Sequence, residues 1–102
     1  MASHSGKNSI NQTALTTIDR RIDLYEQGKI NLPQLAQDLF STVRGMIDVP
    51  TDWHNNFMKY WSAVEEVNAL ALAKGSYEPI HEHRELLCKT LESIRELVRQ
   101  GI

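Results

Sequence analysis

Six apolar residues in the middle of the chain, Trp53, Phe57, Tyr60, Val64, Val67 and Ala71, recur at spacings of four, three, four, three and four. That rhythm places them on one side of a helix and is incompatible with a strand, whose faces alternate every second residue. Trp61 and Leu72 widen the stripe. Three further segments carry the same period, and none shows alternation over a useful length. In the first, Leu15, Ile18, Ile22 and Tyr25 line up, with Ala14 beside them. In the second, Leu32, Leu35, Ala36, Leu39, Phe40, Val43, Met46 and Ile47 fall within an arc of roughly 140°. The fourth carries Ile80, Leu87, Leu91, Ile94 and Val98, widened by Leu86 and Leu97.

Punctuation separates the four. Gly28, the Asp48-Val49-Pro50 segment and Gly75 follow the first three, Pro79 opens the fourth, and Gly101 closes it, while Gly45 falls inside the second. Asn31 is placed to cap the second helix, with Gln34 three residues on to complete a capping box. Thr51 or Asp52 is placed to cap the third. Short connections between helices favour antiparallel neighbours, so the expectation is an all-α fold, an antiparallel up-down bundle of four helices. Residues 10–102 form its single domain, and the polar stretch 1–9 is expected to stay outside it as a disordered N-terminal segment. On the solvent face of the fourth helix, Glu85 with Lys89, Glu92 with Arg95, and Glu96 with Arg99 have ion-pair spacing.

Charge and chemistry narrow the function by exclusion. Eleven Lys and Arg face thirteen Asp and Glu, a net charge of −2, and the fourth helix with its lead-in has five acids to four bases. Neither nucleic acid nor an anionic membrane is an expected partner. The N-terminal residues have no apolar core, so they read as neither a signal peptide nor a span, and a cytoplasmic location is expected. Without a secretory signal, the sequon at Asn11-Gln12-Thr13 has no meaning. His81 and His83 sit two residues apart on opposite sides of a helix, and Glu78 with His81 lacks the second Glu-x-x-His that a di-metal bundle needs. No nucleophile elbow, phosphate loop or dinucleotide fingerprint occurs. No catalytic residue, metal or cofactor is expected, and a bundle this small leaves little room for a cleft. His83 reads as a hydrogen-bonded boundary histidine, Asn68 as a buried polar residue satisfied by a partner, and the single cysteine, Cys88, as inert packing.

The stretch from Arg44 to Gly75 runs from a helix end through Asp48-x-Pro50 to Asp52-Trp53, Phe57, Trp61 and Glu65, then Ala69-Leu70-Ala71 and a closing Lys74-Gly75. Upstream, Tyr25-Glu26-Gln27-Gly28 ends one helix before Asn31-Leu32 opens the next. In this layout residues 13–98 resemble the small α-helical bacterial immunity proteins paired with contact-dependent growth inhibition and related polymorphic toxins. The resemblance implies a non-enzymatic protein that binds the C-terminal domain of a cognate toxin, often a nuclease, and blocks its active site or substrate surface. Two acidic edges are the candidate contacts. The denser one holds Tyr77, Glu78, Glu82 and Glu85, and Asp48 and Asp52 flank the second loop at the opposite end. The same carboxylates also suit helix starts, where they favour the dipole. The alternative is a structural or adaptor bundle that self-associates, as a homodimer, through its third helix.

Overall fold

The computed structural model describes residues 5–102, with side chains from Ser9 onward. It is an all-α bundle of four helices, α1 (Ser5–Glu26), α2 (Leu32–Arg44), α3 (Thr51–Ala73) and α4 (Arg84–Gln100), with no strand among the described residues. A 3-10 turn, His81–His83, leads into α4. Of the N-terminal stretch expected to lie outside the domain, residues 1–4 fall outside the described residues, and α1 is helical from Ser5.

Each helix packs on its sequence neighbours, and α1 closes the ring against α4. Specific bonds fix the antiparallel directions. Near the start of α3, the Trp53 indole N–H donates to the carbonyl of Leu97 near the end of α4, at 3.4 Å. Mid-way along, the Trp61 indole donates to Ala36 in α2 at 2.9 Å. One end of the bundle is sewn by Asn11, whose amide donates to the Ile47 carbonyl at 2.7 Å and accepts from the Ile47 N–H at 2.8 Å. The Asn11 side chain thus holds α1 to the α2–α3 connection. At the other end, the Leu32 N–H reaches the Tyr77 carbonyl at 3.4 Å, joining the two remaining connections.

The four stripes meet in one core. Phe57, Ile18, Ile22, Leu32, Leu35, Leu39, Ile94, Val64 and Val67 are fully buried, and Trp53 stacks on Phe57 with ring centroids 5.7 Å apart. Trp61 and Tyr60 are only partly buried and pack on the outside of this cluster. Leu72 and Leu86, expected to widen their stripes, are exposed, because each lies at the edge of its arc beyond the reach of a neighbouring helix. Thr90 and Asn68 take interior positions. Asn68 meets only Glu65 one turn back, at 3.4 Å, and its carbonyl oxygen has no hydrogen-bond partner. His83 is half-buried, as a boundary histidine is, but its Nδ1 has no hydrogen-bond partner.

The helix ends follow local chemistry. Gly28 and Gly75, both at φ +76°, close α1 and α3 with paired backbone bonds. Lys29 N–H reaches Leu24 and Gly28 reaches Tyr25, while Ser76 reaches Ala71 and Gly75 reaches Leu72. A left-handed residue at this position is cheap only for glycine. Asn31 caps α2 as expected, accepting from Gln34 N–H at 3.0 Å, but the Gln34 side chain donates forward to Asp38 instead of returning to the cap. Gly45 ends α2 and does not lie within it, so Met46 and Ile47 belong to the connection, and Ile47 is exposed. Neither Thr51 nor Asp52 caps α3: Pro50 holds the capping position without a side-chain bond, and Asp52 stands in the first turn, where its charge favours the dipole.

Candidate functional site

The six candidate contacts occupy opposite ends of the bundle. Asp48 and Asp52, both exposed, stand at the α2–α3 connection, and Asp48 takes a left-handed backbone at φ +52° that short polar side chains tolerate. Tyr77, Glu78, Glu82 and Glu85 stand at the α3–α4 connection and the first turns that follow, and all four are exposed. Tyr77 is 66% exposed, the most open large apolar side chain described. Glu85 pairs with Lys89 at 3.2 Å across one turn of α4.

Glu78 is the member that the fold builds into something larger. Ser76 Oγ donates to the Glu78 carbonyl and accepts from the Glu78 N–H, both at 3.0 Å, which rigidifies the connection just before Pro79. The Tyr25 hydroxyl, from the last turn of α1, donates to Glu78 Oε1 at 3.2 Å. Around this bond lies a cavity of about 370 Å³, lined by Tyr25, Glu26, Glu78, Pro79, Arg84, Leu87, Cys88 and Leu91. The bundle therefore has a cleft where little room for one was expected. Its walls come from the last turn of α1, the α3–α4 connection and the first two turns of α4. Cys88, expected as packing, is exposed on this cleft.

Burial of the Tyr25 phenol, followed by the negative charge and hydrogen bond of Glu78, pushes its ionisation well above the ordinary value near 10, with Arg84 opposing. The sign of the consequence is fixed. The unfolded chain releases this proton near pH 10 and the folded chain holds it, so the stabilising effect is intact below about pH 10 and is lost as pH rises further. Urea midpoints measured at about pH 8 and about pH 11 should therefore fall further for the wild type than for Tyr25→Phe. Equal falls would show that Tyr25 ionises freely.

A second polar constellation joins α4 to α1. Arg95 has the right spacing to pair with Glu92, yet its guanidinium turns across the helix interface to Asp19, Asp23 and Glu26. The Asp23 and Glu26 contacts are 2.6 and 2.9 Å, and Arg95 keeps only 15% side-chain exposure. Burial works against its charge, but the hydrogen bonds it donates to Asp23, Glu26 and Asp19 outweigh that and raise its proton affinity further. The other two expected pairs do form: Glu85 with Lys89, and Glu96 with Arg99 at 2.9 Å. One cation among three carboxylates leaves this face negative.

Sequence pattern placed Tyr25 in a stripe, Glu26 at a helix end and Arg95 beside Glu92, and made none of them, nor Arg84, a site residue. The available signal was Asp19, Asp23 and Glu26 at spacings of four and three, an acidic stripe beside the apolar stripe of α1. Among the described residues, no group of three His, Cys, Asp or Glu side chains is arranged to hold a metal ion, and no helix is long and apolar enough to cross a membrane. Comparison with protein-family models, curated proteins and solved structures finds no match for the chain.

Proposed function

We propose that this chain is the inhibitor half of a toxin–immunity pair, which binds the C-terminal domain of a cognate toxin in the cytoplasm and covers its active site or substrate surface. The observation that carries the reading is the α3–α4 end of the bundle, where Tyr77 stands 66% exposed among the exposed carboxylates of Glu78, Glu82 and Glu85. An exposed aromatic beside exposed carboxylates has the composition of an interface anchor. Carboxylates on a rigid scaffold complement the basic surface with which a nuclease holds its polyanionic substrate. Self-association through α3 has less support, since Trp53, Phe57, Val64 and Val67 are buried within the bundle.

The test is co-expression with the C-terminal domain of a large secreted effector encoded directly upstream. The two proteins should co-elute and the cells should survive induction of the toxin. Tyr77→Ala combined with Glu78→Lys should weaken the complex about 100-fold, the effect of losing a central anchor. Failure to associate at micromolar concentration, or survival that does not depend on this chain, would sink the proposal.

A further inference from the structure

The cleft beside Tyr25 combines an apolar floor with a charged rim. Pro79, Leu87 and Leu91 are buried beneath it, the Tyr25 ring is half-buried at one wall, and Glu26, Glu78, Arg84 and Cys88 open to solvent. Two carboxylates thus face one guanidinium around the opening. The surroundings deepen the bias. From Glu78 to Arg99 there are five carboxylates and four cations. An anion drawn to Arg84 would have to sit beside Glu26 and Glu78. A purely apolar side chain would strip water from both carboxylates without replacing it.

The chemistry that suits the apolar floor, the Tyr25 ring and the two carboxylates is a long apolar stem ending in a flat cation. We propose that the cleft receives an arginine side chain from the surface of the bound protein. Its methylenes lie over Pro79, Leu87 and Leu91, its guanidinium plane covers the Tyr25 ring, and its N–H groups donate to Glu78, which Tyr25 and Ser76 already hold in place. Arginine fits better than lysine because the guanidinium is planar, weakly hydrated and able to stack while donating in parallel. This inference rests on the reading of the chain as a protein-binding module and supplies the chemistry of one contact.

Its test needs no toxin. The isotopically labelled full chain is titrated with Nα-acetyl-arginine amide, and in parallel with the citrulline analogue, which keeps the shape and loses the charge. Saturable shifts are expected at the backbone amides of Leu87, Cys88 and Leu91 with millimolar affinity, and alkylation of Cys88 should slow as the amide saturates. Citrulline should bind at least about 10-fold more weakly, and Glu78→Gln should lower arginine affinity about 5- to 10-fold while Glu66→Gln, on the outside of α3, leaves it unchanged. Shifts that never saturate, equal binding of citrulline, or indifference to Glu78→Gln would each overturn the proposal. A toxin complex that forms although the amide does not bind removes only the arginine contact. Amide binding without any toxin complex removes the toxin reading instead.

Discussion

Phe57→Ala is expected to lower the unfolding free energy by about 3–5 kcal/mol, the cost of deleting a buried ring and leaving a cavity that the helices cannot close. The ring has no solvent exposure and stacks on Trp53, whose indole in turn ties the start of α3 to the end of α4. Losing it loosens two helices at once. For a domain of this size the total stability is about 5–15 kcal/mol, so the variant should melt at much lower urea and populate unfolded chain at rest. Far-UV circular dichroism during urea titration gives the number directly. Leu72→Ala and Leu86→Ala, from edges of the same sequence stripes but exposed, should each cost less than about 1 kcal/mol. A loss below about 1 kcal/mol for Phe57→Ala would place the ring outside the core.

Arg95→Met should be the second large effect, about 1.5–3 kcal/mol, although methionine keeps most of the apolar stem. The variant strands Asp19, Asp23 and Glu26 beside one another with no cation between them. Those carboxylates are about half exposed, so water screens much of their repulsion and the cost stays below that of a fully buried broken pair. The electrostatic origin has a signature. Salt weakens the attraction in the wild type and the repulsion in the variant, so the stability gap should narrow between about 0.1 and 1 M salt. A gap that ignores salt would assign the effect to packing alone. Glu92→Gln, by contrast, should be close to neutral, because Arg95 turns away from it.

The contrast between Glu92 and the α1 carboxylates shows where sequence reasoning reaches its limit. Local terms were readable. The stripes of α1 to α4, the Asn31 cap, the glycine stops at positions 28 and 75, and two of three spaced ion pairs on α4 all depend on residues within a turn or two of each other. Terms set by the approach of distant segments were not. Arg95 prefers three carboxylates more than 65 positions away to one at i−3, because crossing the interface buries its stem and lets several N–H groups donate at once. Asn11 looked like an empty sequon and serves as a clamp on Ile47.

The candidate site divides in the same way. Exposed carboxylates at a helix entrance, Glu78, Glu82 and Glu85, are legible because a connection and a polar run coincide. The cleft is not, since its walls come from Tyr25 and Glu26 at one end of the chain and from Leu87, Cys88 and Leu91 at the other. Only the ring closure of α1 on α4 brings them together. Asp48 and Asp52 share the charge of the Glu78 cluster but stand at the far end of the bundle.

Hydrogen exchange on the complex with the cognate toxin domain tests that division most directly. Protection gained on binding should concentrate at residues 76–88 and at the last turn of α1, with little change at residues 45–52. Protection confined to the α2–α3 end, or spread evenly over all four helices, would contradict the assignment of the acidic, cleft-bearing end as the binding surface.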